Sequence, residues 1–118
     1  MLPKPKRLNL KKDFKWAAAG KRVNSKFATF FLRVGDNHQP RIGVAVSTRV
    51  FKRVVDRNRV KRVVFACFES LYNRLPSNIN IVALPKAGVI DVKSGDLLLE
   101  LEEVLEKEKI LGSTIDIK

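Results

Sequence analysis

The densest chemical feature of the sequence is a run of seven cations within fourteen residues: Arg49, Lys52, Arg53, Arg57, Arg59, Lys61 and Arg62, interrupted by one carboxylate, Asp56. Guanidinium forks and ammonium groups at this density suit phosphate, which arginine can grip with two parallel hydrogen bonds. Asp56 is expected to cap a helix, which would place Arg57, Asn58 and Arg59 in its first turn. Cations there oppose the helix dipole, at roughly 0.3–1 kcal/mol each when exposed. Such loading does nothing for folding and makes sense where phosphates dock on exposed N–H groups. The lysine–glutamate mixing typical of a solvated helix face is absent from this run.

A second constellation interleaves aromatics with cations. Phe14, Trp16, Phe27, Phe30 and Phe31 lie among Lys12, Lys15, Lys21, Arg22, Lys26 and Arg33. Aromatic faces beside cations suit single-stranded nucleic acid, where a stacked base contributes about 1–3 kcal/mol. A strand phenylalanine taken alone is more often core, so about two of these five are expected to be exposed for stacking.

Hydrolytic chemistry has no evident home. His38, the only histidine, sits in a turn beside Pro40 and is read as solvated. Asp13, Asp36, Asp56 and Glu69 are scattered, without the close pairing that two-metal nucleases need. Cys67 falls on an apolar helix stripe and is read as a small buried hydrophobe. No glycine-rich phosphate loop occurs, and neither a catalytic residue nor a metal ligand is assigned. The residues describe a nucleic-acid binder rather than a self-sufficient enzyme.

The elements that must position these groups follow from local patterns. Residues 1–8 hold two prolines and three cations and are expected to form a solvated basic arm. Asn9 caps a short helix through Ala19, with Gly20 beyond its end and Leu10, Phe14 and Ala17 or Ala18 on one face. Residues 21–34 are strand-like, and alternation sets Phe27, Thr29 and Phe31 opposite Ala28, Phe30 and Leu32. With an aromatic on each side, this sheet is expected to be covered on both faces. After the turn Gly35-Asp36-Asn37 comes a strand over Arg41–Ser47, and residues 54–75 carry the clearest helix, striped by Val60, Val64, Cys67 and Leu71. A fully apolar strand spans Ile79–Leu84. A last helix over about 93–109 turns Leu97, Leu101, Val104 and Leu105 inward and Glu100, Glu103 and Glu106 outward, before a frayed tail over 112–118. The order is α-β-β(-β)-α-β-α in one α+β domain.

Composition sets the bounds. At 118 residues, 45% hydrophobic and 31% charged, the chain suits one folded domain. No apolar run approaches the ~20 residues of a membrane span, and the basic N-terminus lacks the apolar segment of a secretory signal. One cysteine excludes an internal disulfide framework, so a reducing cytoplasm is expected. The net charge is +12, and it is unevenly spread: residues 1–74 carry 19 basic and 4 acidic side chains, the remaining 44 carry 5 and 8. Self-repulsion on that scale calls for a polyanionic partner, with nucleic acid favoured over an anionic membrane surface.

The stretch from Lys52 to Arg62, with its Arg57-Asn58-Arg59 core, one apolar residue and Lys61-Arg62, resembles the signature of the bacterial ribonuclease P protein subunit. Arg41–Ser47 is similar to the strand entering that signature, and Phe14–Gly20 followed by Lys21-Arg22 to the family's first helix and turn. Residues 79–84, Lys86-Ala87-Gly88 and the acidic last helix follow in the family's order, so the resemblance covers about residues 6–109.

The resemblance implies an α-β-β-β-α-β-α fold with a central mixed sheet, like the second domain of ribosomal protein S5. It also implies a left-handed β-α-β crossover, an exception to the usual hand. It further implies a subunit, one per RNA, of a ribonucleoprotein endoribonuclease in which the RNA, with bound Mg²⁺, removes the 5′ leader of precursor tRNA. By position, Arg57, Asn58, Arg59, Lys61 and Arg62 would face the catalytic RNA, with Arg49, Lys52 and Arg53 in the basic loop before them. Phe14 and Phe30 would line the leader cleft, with Lys21 and Arg22 at its flanks. Membrane and small-molecule partners are not expected. The chain departs from the family in having Thr48-Arg49 where many members have paired lysines, Ala18 in place of a second helix aromatic, and Phe51 where glycine is frequent. The alternative is a structural ribosomal-type protein or a general single-stranded RNA binder.

Overall fold

The computed structural model describes residues 4–108. Helix α1 (Leu10–Ala18) starts where the capping logic places it: the Asn9 side chain accepts from the backbone N–H of Lys11 and Lys12 at 3.1 and 3.3 Å. Its end presses so closely on the sheet that a Cβ on Gly20 would collide with the Leu32 carbonyl oxygen. The strand-like stretch beyond it is a hairpin of β1 (Lys21–Asn24) and β2 (Ala28–Val34), antiparallel, with Arg22 opposite Phe31. Ser25 fastens the turn, its hydroxyl donating to the Ala28 carbonyl at 3.0 Å.

Strand β3 (Arg41–Val44) is shorter than the apolar pattern suggests, although Ala45 N–H still donates to the Ala83 carbonyl at 2.9 Å. Helix α2 (Val54–Leu71), strand β4 (Ile79–Pro85) and helix α3 (Ser94–Lys107) complete the chain. The sheet order is β1-β2-β4-β3, with β4 antiparallel to β2 and parallel to β3, so α2 forms the crossover of the one parallel pair. Flanked on both sides and covered on both faces, β4 reads as an apolar run interrupted only by Asn80.

The two faces bury different things. Ala28, Phe30 and Leu32 of β2, with Ile42, Ile79 and Ile81, pack against Val60, Val64, Phe68 and Leu71 of α2 and Leu97, Leu101 and Leu105 of α3. On the opposite face α1 sets Ala17, Leu10 and Phe14 against Val82 and Phe31, joined by Leu8. Gly43 lies under this second layer, where a Cβ would come within 2.7 Å of Leu10 Cδ2. Cys67 lies buried in the main core, as its stripe position predicts.

Three local expectations are overturned. Residues 4–8 are docked, not a solvated arm: Arg7 bridges in parallel to Ile42, Leu8 N–H donates to the Ile42 carbonyl at 2.9 Å, and the Leu8 side chain is buried. Apolar contact by Leu8 outweighs the charge and proline content on which the expectation rested. Asp56 does not cap α2. The cap is Arg53, and the first turn is Val54-Val55-Asp56, so Arg57, Asn58 and Arg59 begin one turn later than predicted. Nor does Glu100 simply face outward: it is partly buried and accepts from Lys26 N–H at 2.8 Å, whereas Glu103 and Glu106 are exposed as read, Glu106 joining Glu102 in holding Arg74 at 3.1 and 2.6 Å. The predicted end of the last helix at 109 and the tail over 112–118 lie outside the described residues.

Candidate nucleic-acid interface

The approach to α2 is a compact turn. Ser47 Oγ accepts from Arg49 N–H at 3.1 Å and from Val50 N–H at 3.4 Å, and Phe51 N–H donates to the Ser47 carbonyl at 2.9 Å. Phe51 is buried in the main core and anchors this loop. Arg57 reaches back from α2, its Nη1 donating to the Phe51 and Lys52 carbonyls at 2.9 and 3.0 Å. Its guanidinium therefore shapes the loop. Arg53 pairs with Asp56 at 3.2 Å and remains largely exposed, a surface contact worth ~0–1 kcal/mol.

The other cations of the cluster point in different directions. Arg49, Lys52, Asn58, Arg59, Lys61 and Arg62 are exposed, while Val60, Val64 and Phe65 between them are buried. Arg59 stands with Lys93 beside a small cavity of about 120 Å³ walled by Val60, Val63 and Val89. Lys61 faces the β3 side, near Val44 and Leu8. Val50, Val54 and Val55 are 43%, 59% and 69% exposed among these cations, an apolar face that water alone does not favour. The wrong-sign dipole argument no longer applies to α2, because Asp56 occupies its first turn; the density and outward display of the cations remain.

Phe30 is not available for stacking. It is 2% exposed and packs edge to face on Phe68, 6.3 Å between centroids, because its alternation partners Ala28 and Leu32 direct it toward α2. The aromatic that joins Phe14 is its neighbour Phe31, at 6.4 Å with ring planes 76° apart, both half-buried on the α1 side. Phe31 belongs to the aromatic–cation constellation of the sequence but lies outside the positional match that points to Phe30. The available signal was Thr29, which marks its face of β2 as the less apolar one.

The same alternation separates Lys21 from Arg22. Arg22, opposite Phe31, shares the aromatic face and is exposed. Lys21, opposite Leu32, belongs to the other face and pairs with Glu108, so it does not flank the aromatics. Ala45, packed against the Phe14–Phe31 cluster, also lines a groove of about 440 Å³ that continues past Thr29 and Ser47 to Val50 and Lys86. The open face thus runs from the aromatic pair to the basic loop. Trp16 lies apart, its ring covered by the Arg33 guanidinium at 4.6 Å while Arg33 Nη1 donates to the Trp16 carbonyl.

Among the described residues, no three His, Cys, Asp or Glu side chains gather as metal ligands. Asp13 on α1, Asp36 in the β2–β3 loop, and Asp56 and Glu69 at opposite ends of α2 belong to no such group. No helix among the described residues is long and apolar enough to cross a membrane. Burial pushes the Cys67 thiol up to about 11, which is inert rather than nucleophilic.

Fold and surface together define a small basic α+β protein with a mixed four-stranded sheet and a cation-rich crossover helix. The family model described as Ribonuclease P matches residues 2–109. The chain is 40% identical over 91 residues to the ribonuclease P protein component of Nitrosococcus oceani, covering 76% of each. It is 33% identical over 113 residues to that of a Pseudanabaena species, covering 94% of this chain and 97% of the relative. A Staphylococcus aureus RNase P protein, a mutant with defective mRNA degradation activity, superposes with a TM-score of 0.81 at 21% identity, covering 92% of each chain. The Thermotoga maritima RNase P protein gives 0.77 at 23%, covering 86% of this chain and 96% of its own. At those identities the structures speak to fold alone. The chain belongs to the ribonuclease P protein component family, which gives it a subunit role in ribonuclease P and in tRNA processing.

Proposed function

We propose that this protein binds the catalytic RNA of ribonuclease P and the 5′ leader of precursor tRNA, in the cytoplasm, with one protein per RNA. The carrying observation is the outward display of Asn58, Arg59, Lys61 and Arg62 from α2, beside a loop that Arg57 and Phe51 hold in place. Arginine-rich faces of this kind bind RNA phosphates, and each neutralised phosphate releases counterions. Arg49, Lys52 and Arg53 extend the same surface along the loop.

The leader crosses the Phe14–Phe31 pair, with Arg22 on the same face of the sheet, and continues past Ala45 into the groove that ends at Val50 beside the basic loop. Edge-to-face aromatics, half-exposed, offer a stacking surface that tolerates any base. Mg²⁺ is held mainly by the RNA, which carries the hydrolysis of the endonucleolytic step. The protein contributes fixed positive charge near crowded phosphates, replacing part of the counterion atmosphere and lowering the Mg²⁺ concentration the RNA requires.

The test is cleavage of a precursor tRNA by the cognate catalytic RNA at low Mg²⁺, with and without the protein. A protein-dependent rise in rate at the mature 5′ end, absent with an equally basic control protein, is the expected result. Tight RNA binding with no rise in rate would favour a purely structural RNA binder. Cleavage by the protein alone would overturn both readings.

A further inference from the structure

We propose that Lys4, Arg7, Lys11 and Lys61 form one phosphate-binding groove across the β3 edge, and that it holds a strand of the catalytic RNA separately from Arg59 and Arg62. The inference rests on the RNA-binding reading above and extends it to the N-terminal segment, outside the signature.

Four cations from three separate segments converge on a groove of about 520 Å³, and no carboxylate is among the described residues that line it. Their convergence is built by the fold. The Arg7–Ile42 bridge and the Leu8 hydrogen bond to Ile42 lay the N-terminal segment along β3, which carries Lys4 and Arg7 to the groove. Lys6, between them, turns away and sits 4.6 Å from the centre of the Tyr72 ring. Lys61 enters from α2, one turn before Phe65, which forms part of the floor.

Lys11 stands exposed with Lys12 in the first turn of α1, which also holds Asp13. The like charges of Lys4, Lys11 and Lys61 around one groove repel one another, and a polyanion relieves that repulsion. The floor, made by Leu8, Gly43, Val44 and Phe65, is apolar and suits the sugar and base edges of a strand whose phosphates meet the rim. The stacking pair Phe14–Phe31 does not line this groove, and one of its walls is the signature helix itself. Both points assign the occupant as the catalytic RNA rather than the leader.

The experiment compares the full-length Lys4→Ala/Lys11→Ala protein with wild type for binding to the catalytic RNA alone, over a series of salt concentrations. Affinity should fall by about ten-fold, and the slope of log affinity against log salt should drop by roughly 1.4–1.8 for two lost phosphate contacts. Lys4→Arg/Lys11→Arg should restore both, and Lys107→Ala, a cation on α3 outside the groove, should leave the slope at the wild-type value. Melting temperatures of all variants report whether the fold is kept. An unchanged affinity and slope in the alanine pair, with Arg59→Ala still weakening binding, would overturn the groove and leave the RNA-binding reading intact. If Arg59→Ala is also silent, the RNA-binding reading itself fails. Loss of precursor-tRNA binding by the assembled enzyme, with binding to the catalytic RNA unchanged, would make the occupant the leader and overturn the assignment.

Discussion

Phe30 and Phe31, adjacent on β2, serve opposite faces of one sheet: Phe30 packs on Phe68 in the main core, and Phe31 meets Phe14 under α1. One step along the strand separates a residue that holds the fold from one available to a ligand.

Phe30→Ala should therefore cost about 3–5 kcal/mol of stability, the usual range for a buried phenylalanine that leaves a cavity. Phe31→Ala should cost less and should weaken binding of precursor tRNAs with leaders of several nucleotides more than those with one. Denaturant titration and leader-length binding series separate the two. Equal loss for both leader lengths would reduce Phe31 to a packing residue.

Arg57 and Arg59 should behave differently although both belong to the signature. Arg57→Ala removes the donors to the Phe51 and Lys52 carbonyls, so it should lower stability by roughly 1–3 kcal/mol as well as RNA affinity. Arg59→Ala and Arg62→Ala should weaken RNA binding with the melting temperature unchanged. Retained RNA affinity in both would sink the assignment of the α2 face.

How much of this was legible in the sequence depended on how local each cause is. The Asn9 cap and the Val60–Leu71 stripe arise from neighbours within a few residues, and both form as read, whereas the single strand-like stretch over 21–34 folds back at Ser25 into the β1–β2 hairpin. Helix α2 begins at Val54 as read, but its cap is Arg53 and not Asp56, beside a loop anchored by Phe51 in a core assembled from distant segments. Alternation separates the two faces of β2 but does not say which one α2 covers, and the positional match to the family that points to Phe30 falls on the covered face. The docking of residues 4–8 needs β3, over thirty residues away, and no window of local sequence contains it.

Cys67 offers a test of burial by pH. Desolvation raises its thiol from 9.0 to about 11, so the folded state keeps the proton that the unfolded chain releases. The neutral thiol's contribution is complete below about pH 9 and is lost as the pH rises toward 11. Wild type should lose stability over that window faster than Cys67→Ala. Tyr72, also raised by burial, shifts both proteins alike. Native protein at neutral pH should react with thiol reagents far more slowly than unfolded protein.

A net charge of +12 predicts that sulfate raises the melting temperature more than chloride at equal ionic strength, by binding the folded cationic surfaces. An identical melting temperature in the two salts would show that charge repulsion does not limit the fold.

The segment from Arg7 to Leu8 lies against β3, the outermost strand on its side of the sheet. An outermost strand left bare invites the strand of a neighbouring molecule, the usual beginning of self-association. By occupying the Ile42 carbonyl, this short basic stretch acts as a bumper, and its like charges repel a second copy approaching the same side. Shortening the chain to residue 9 should therefore do more than remove cations: it should favour edge-to-edge pairing as the protein's concentration rises.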